Sequence, residues 1–289
     1  MSKSAPAFTV GEWTSADGLT LRYRDYPGGS QRPPVLCIPG LTRNCRDFEP
    51  LAEALTGEWR VICADLRGRG QSDYARDSGS YQPLQYAADI LALLDHLAID
   101  RVVAVGTSLG GIVIMLLAIQ APQRLTGVVL NDVGPEIEAA GLARIRGYVG
   151  QGRSFPTWMH AARGLREQAG PAHPDFAIGD WLRLAKRLMA VGPGGRIAFD
   201  YDMKIAEPFQ TAEGTAPVDM WPAFRVLAGR PALAIRGELS DILSAATLTR
   251  MKREVPELDI LTVKRTGHAP TLEEPEAQVA IDRLLARIS

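Results

Sequence analysis

Gly106-Thr107-Ser108-Leu109-Gly110 sets a serine between glycines two residues before it and two residues after it. The apolar run Val102–Val105 leads in, and a helical pattern starting at Leu109 leads out. A serine on so tight a strand-to-helix turn adopts strained backbone angles, so its flanking positions must be small. That geometry would lift the Ser108 hydroxyl to the carboxyl edge of a sheet, where open α/β folds bind ligands. A plain glycine-rich turn spells the same letters. Its placement between these two elements makes Ser108 the candidate nucleophile.

A serine nucleophile needs a base to take its proton, and the chain has four histidines. His96 falls in a helical pattern beside Leu93 and Leu97, and His160 and His173 lie in an interval without strand-helix alternation. His268, in Thr266-Gly267-His268-Ala269-Pro270, follows a predicted strand and precedes the last helix. Its loop should open at the same edge as Ser108, which makes it the candidate base. The third member should orient His268 and stabilise its charged form. Asp241, after the preceding predicted strand, is the first choice; Asp132 is the alternative and Glu238 a third. Both aspartates satisfy the order serine, acid, histidine. The stretch Leu36–Asn44 ends a strand in a glycine turn, whose N–H groups could join that of Leu109 around a developing oxyanion.

These residues need a scaffold that brings strand ends together. Phe8–Thr14 and Leu19–Tyr26 alternate around Ala16-Asp17-Gly18, which predicts a β-hairpin. Short β-rich runs follow at Val35–Ile38, Arg60–Ala64, Arg101–Val105 and Gly127–Leu130, separated by helical patterns at Phe48–Leu55, Leu84–Leu97 and Leu109–Ala121. Strands too apolar to be half-exposed, alternating with helices, imply a parallel sheet covered on both faces. From about Pro135 the alternation stops, and it resumes with strand Ala232–Arg236, helix Ala245–Val255, strand Leu258–Val263 and helix Pro275–Arg287. The interval between exceeds any ordinary loop, so it reads as a helical insertion. Its aromatic residues Trp158, Trp181, Tyr201, Phe209 and Trp221 are expected to form mostly its own small core, and Arg183, Lys186 and Arg187 a solvated helix face.

Composition narrows the chemistry further. The 289 residues are 46% hydrophobic and 22% charged, with 32 basic against 33 acidic side chains. This balance carries no signature of a nucleic-acid partner. Three cysteines (Cys37, Cys45, Cys63) do not make a disulfide framework and fit a reducing compartment. The longest apolar run, Ile112–Ile119, is far short of the roughly 20 residues that span a bilayer, so no membrane partner is expected. No phosphate-binding loop, dinucleotide fingerprint or metal-ligand spacing is present, and neither cofactor nor metal is expected. A cytoplasmic enzyme acting on a small-molecule substrate is the expectation; the oligomeric state stays open.

Three segments in order make the chain resemble the α/β-hydrolase superfamily over nearly its whole length. They are the Gly106–Gly110 elbow, Asp65-Leu66-Arg67-Gly68-Arg69-Gly70-Gln71-Ser72, and Gly267-His268-Ala269-Pro270-Thr271-Leu272-Glu273-Glu274-Pro275. The last two are similar to the family's D-x-R-G-x-G-x-S and G-H-x-P-x-x-E-x-P segments. The resemblance implies a mostly parallel eight-stranded sheet with helices on both faces. It divides the chain into a core at 1–134 and 226–289 and a helical cap at 135–225. It also implies that the Leu41 N–H, after Pro39-Gly40, joins that of Leu109 in an oxyanion hole. Two positions depart from the pattern. Pro39 stands where the family commonly has His, and Ser240 stands where the acid usually lies, with Asp241 one residue later.

The implied activity is serine hydrolysis of a small ester or lactone through an acyl-enzyme on Ser108. The same residues could instead serve C–C bond hydrolysis of ring-fission products or cofactor-free perhydrolysis. A non-catalytic ligand-binding member of the fold is a third reading.

Overall fold

The computed structural model describes residues 7–211 and 218–288. Its main sheet has eight strands in the order β1-β2-β4-β3-β5-β6-β10-β11. These are β1 (Thr9–Thr14), β2 (Thr20–Tyr26), β3 (Val35–Ile38), β4 (Val61–Asp65), β5 (Val102–Thr107), β6 (Leu125–Asn131), β10 (Ala232–Gly237) and β11 (Asp259–Val263). β2 is antiparallel to β1 and to β4, and every other pairing is parallel. The predicted hairpin and all six later strands are therefore present. Their ends move by one or two residues, because a strand continues for as long as its neighbour offers hydrogen bonds.

Side chains alternate between the two faces of each strand. Leu36, Ile38, Ala104, Leu130 and Ala234 belong to one buried cluster, which takes in the helices α2 (Pro83–His96), α3 (Leu109–Gln120), α8 (Trp221–Arg225) and α9 (Ala245–Glu254). Val35, Cys37, Val105, Val129 and Ile235 belong to the cluster on the other face, under α1 (Glu49–Leu55) and α10 (Pro275–Leu285). Burial on both faces explains why β3, β4 and β5 are apolar up to the carboxyl ends of β4 and β5, at Asp65 and Thr107, rather than alternating.

Between β6 and β10 the chain forms α4 (Ala139–Arg146), α5 (Trp158–Ala169), α6 (Ile178–Leu188) and α7 (Ala206–Thr211). It also forms a small antiparallel sheet, in the order β7-β9-β8, from β7 (Ser154–Phe155), β8 (Met189–Val191) and β9 (Ile197–Phe199). The sequence reading held this interval to be helical and did not foresee these strands. The Gly192-Pro193-Gly194-Gly195 break is the turn of the β8–β9 hairpin, with Gly195 at φ +70°. Trp158 and Trp181 belong to the small core of this interval. Tyr201 and Trp221 pack instead into the main cluster.

Arg187 is nearly buried and pairs with Glu273 at 2.6 Å, so it is not part of a solvated face. Its carbonyl accepts from Asn44 Nδ2 at 3.0 Å and Arg46 Nε at 2.9 Å, tying α6 to the loop after β3.

Candidate active site

Ser108 sits at φ +52°, a conformation that L-residues rarely adopt. It stands immediately before α3, and its N–H donates to Asn131 O at 2.9 Å. The flanking glycines are required by close approach. A Cβ on Gly106 would lie 2.4 Å from the Gly110 carbonyl carbon, and one on Gly110 would lie 2.0 Å from the Ile38 oxygen. The spacing read from the sequence is thus a packing requirement of the turn.

His268 lies between two partners. Its Nε2 is 2.9 Å from Ser108 Oγ and its Nδ1 is 2.7 Å from Asp132 Oδ2. A carboxylate only accepts, so Nδ1 carries the proton and Nε2 is left to accept from the serine. Asp132 has a fully buried side chain at φ +55°. Three donors surround its carboxylate: Gly237 N–H at 2.8 Å on Oδ1, and Ser240 Oγ at 2.7 Å and His268 on Oδ2. The histidine loop is held as firmly. Gly267 N–H donates to Ala172 O at 2.6 Å, and Asn131 Nδ2 donates to Pro270 O at 2.9 Å.

Asp241, the first choice from sequence, does not meet His268. It forms a two-pronged pair with Arg144, at 2.5 Å to Nε and 2.8 Å to Nη2. The Arg144 hydrogen bonds hold its carboxyl below the usual range. The reason lies in the loop after β10, where Ser240 takes the inward place and Asp241, one residue on, turns toward α4. Glu238 is also elsewhere, accepting from Arg265 N–H at 2.8 Å. The alternative, Asp132, is the carboxylate that reaches the histidine.

Leu41 and Leu109 border the same space as Ser108. Leu109 is the first residue of α3, where a backbone N–H has no acceptor within the helix. A cavity of about 550 Å³ opens from these residues. Its walls include Ile112 of α3 and Leu142, Ile145, Ile205 and Phe209 from the interval between β6 and β10. Of the five aromatic residues singled out in that interval, Phe209 alone lines this cavity. His160 is exposed and contacts Thr157; His173 is buried against Phe176 and Trp181.

Residues 33–275 match the family described as the alpha/beta hydrolase fold. The chain belongs to that family. It is similar to the 3-hydroxybutyrate-oligomer hydrolase of Cupriavidus necator, with 34% identity over 88% of each chain. It is also similar to the 2-(acetamidomethylene)succinate hydrolase of Mesorhizobium japonicum, with 31% identity over 89% of this chain and 88% of that one. A crystal structure of an alpha/beta hydrolase from Novosphingobium aromaticivorans superposes with a TM-score of 0.95 at 58% identity, covering 99% of this chain and all of that one.

This α/β hydrolase is an enzyme, a hydrolase, and the eight-stranded sheet inferred from the resemblance is the sheet it has. Among the described residues no helix is long and apolar enough to cross a membrane. No group of three or more His, Cys, Asp or Glu among them could hold a metal ion. Sequence reasoning missed Ser240 and Asn131 as supports of the site. The one available signal was Ser240 itself, a hydrogen-bonding residue at the place where the family resemblance leads one to expect the acid.

Proposed function

We propose that the protein is a serine hydrolase of small carboxylic esters whose acyl part is apolar and uncharged. The observation that carries this reading is the hydrogen-bonded series Ser108–His268–Asp132 opening onto a cavity walled by Ile, Leu and Phe side chains. Ser108 Oγ attacks the carbonyl carbon while His268 Nε2 takes its proton. Asp132 keeps the proton on Nδ1 and stabilises the imidazolium. The Leu41 and Leu109 N–H groups receive the oxyanion, usually the largest electrostatic term in acyl transfer. The tetrahedral adduct collapses, and His268 returns its proton to the departing alcohol. Water, deprotonated by the same nitrogen, then attacks the acyl-enzyme and frees Ser108.

Residues 135–225, of which 212–217 lie outside the described residues, act in this reading as a cap that selects the acyl group. Supporting it are Leu142, Ile145, Ile205 and Phe209, which face the same cavity as Ser108. Tyr81 Oη donates to Asp202 at 2.6 Å, Tyr86 Oη accepts from Arg69 at 2.9 Å, and Gln82 Nε2 donates to Gly79 O at 2.7 Å. Among the described residues no charged side chain lines the cavity, so a charged acyl group would lose its water without meeting a counter-ion. The C. necator relative is by its name a 3-hydroxybutyrate-oligomer hydrolase; hydroxy acids join into oligomers through oxygen esters, which agrees with ester cleavage here.

The test is a panel of 4-nitrophenyl esters of two to ten carbons, lactones, diketo-acids and peroxide, run with wild type and Ser108→Ala. Ester turnover that rises with acyl length until the cavity is full, and vanishes in Ser108→Ala, is expected. Preferential turnover of diketo-acids or peroxide would reject the ester reading, and stoichiometric binding without turnover would reject enzymatic use of the serine.

A further inference from the structure

Arg67 and Arg69 stand two residues apart in the turn after β4, both fully buried, yet their charges are met in different ways. Arg67 is paired with two carboxylates, Asp89 at 2.6 Å and Asp17 at 2.8 Å. The hydrogen bonds of Arg69 go to neutral oxygens: Nε to Leu41 O at 2.9 Å, and Nη1 to Arg67 O at 2.6 Å and Tyr86 Oη at 2.9 Å. Its Nη2 is buried with no acceptor among the described residues. The guanidinium lies 4.6 Å from the Tyr86 ring centroid and 5.7 Å from that of Tyr81. Ring faces attract a cation but do not neutralise it. Burying a guanidinium without an anion is strongly disfavoured.

The surrounding backbone holds Arg69 in this position. Gly70 N–H donates to Asp200 O at 3.0 Å and Asp202 N–H to Gly68 O at 2.7 Å, bracketing the turn with the chain beyond β9. Gly68 (φ +76°) lies on the Tyr81 ring, where a Cβ would come within 2.6 Å. Gly70 (φ +57°) lies on the Asp65 carboxylate, where a Cβ would come within 2.3 Å. A side chain at either position would be strained at its positive φ and would press on these groups, so the turn is held, and the three hydrogen bonds of Arg69 fix its side chain.

Its Nε ends on Leu41, the residue whose N–H would face the oxyanion. A bond to the carbonyl on one side of the Leu41 Cα restrains the amide on the other. The guanidinium, which has no carboxylate partner among the described residues, is one hydrogen bond from Leu41 in surroundings too dry to screen its charge. We propose that Arg69 is a positioning residue for the oxyanion hole, holding Leu41 by its carbonyl and adding a positive field where negative charge develops. This rests on the serine-hydrolase reading above. Arg69 touches no reacting atom and transfers no proton.

The test compares wild type, Arg69→Lys, Arg69→Met and Ser108→Ala on 4-nitrophenyl butyrate. It adds two inhibitors: a butyl trifluoromethyl ketone, which the serine converts to a tetrahedral oxyanion, and butyramide, a neutral mimic of the bound substrate. Removing an oxyanion donor lowers kcat by about 10²–10³, so Arg69→Met should approach that and Arg69→Lys lose roughly tenfold. KM and the butyramide Ki should stay near wild type, while the ketone Ki rises by the factor that kcat/KM falls. A merely structural role would not move the ketone and butyramide constants apart.

Arg69→Lys keeps the charge and most of the stem, so it decides alone if Arg69→Met does not fold. An unchanged kcat in folded Arg69→Lys, or a loss without a matching rise in the ketone Ki, overturns the role of Arg69. Persistent turnover in Ser108→Ala overturns the serine reading, and this proposal with it.

Discussion

Ser240 Oγ lies 2.7 Å from Asp132 Oδ2, the same oxygen that meets His268 Nδ1. The two residues follow β6 and β10, neighbouring strands of the sheet. Ser240 stands where the family pattern leads one to expect a carboxylate. A second carboxylate so close to Asp132 would be repelled, and one of the two would be forced to keep its proton. A hydroxyl at that place instead donates to Asp132. The Ser240 oxygen in turn accepts from Ile242 N–H at 3.2 Å and Leu243 N–H at 3.1 Å, which fixes its direction.

Asp132→Asn keeps the shape of the acid but favours the wrong imidazole tautomer. Turnover of an aryl ester should fall on the order of 10⁴-fold. Asp241→Asn removes an ion pair with Arg144 at the protein surface and should change kcat little. Ser240→Ala should fall between the two. Steady-state kinetics on the three variants checks the ranking, and the reverse order would return the acid role to Asp241.

A fluorophosphonate probe should label Ser108 alone, because only an activated hydroxyl attacks phosphorus quickly. Ser108→Ala should abolish labelling with little change in the unfolding midpoint, since the substitution removes a single hydroxyl. Peptide mapping of the labelled protein by mass spectrometry gives the answer, and a different labelled serine would remove Ser108 from the mechanism.

His173 is buried, its ring 4.5 Å from that of Phe176 and 5.9 Å from that of Trp181. Burial above all, with Arg43 and His268 adding to it, pushes its pKa down to about 4. Between its ordinary value of 6.5 and about 4, the unfolded chain binds a proton there that the native protein does not. Stability should therefore fall as pH drops through that window, by on the order of 3 kcal/mol from this residue. His173→Phe should flatten that part of the profile while leaving stability at pH 8 nearly unchanged. Urea unfolding at pH 8, 6 and 4.5 measures the difference.

Asp89 and Arg67 are both buried, and Arg67 reaches Asp89 through Nε at 2.6 Å and Nη2 at 2.7 Å. Asp89→Ala leaves the guanidinium with only the half-exposed Asp17. Removing one partner of such a pair costs about 3–5 kcal/mol. The urea midpoint should drop accordingly, with the slope unchanged. A loss under about 1 kcal/mol would mean that Asp17 or water takes over the charge.

The parts of this protein legible from its residues are those decided over a few neighbouring positions. Apolar runs too continuous for a half-exposed strand marked β3 to β6. Gly106 and Gly110 marked the elbow, because the backbone crossing there excludes any Cβ. The interval after Asn131 was legible as an interruption, but its short strands β7 and β9, 42 residues apart at the Phe155–Ile197 pair, were not. Two or three residues of strand carry too little pattern to be seen before they pair. Which aspartate meets His268 was decided only in three dimensions. Asp132 and Asp241 both follow strands that end at the same edge, and chain order admits either. The choice depends on a left-handed φ of +55° at Asp132, which puts its carboxylate into the sheet edge, and on one extra residue that turns Asp241 out to Arg144. Side-chain direction at a strand end depends on backbone angles set by neighbouring strands. Those neighbours, β6 against β10 and β10 against β11, pair residues 104 and 26 positions apart, so no local stretch of sequence contains the information.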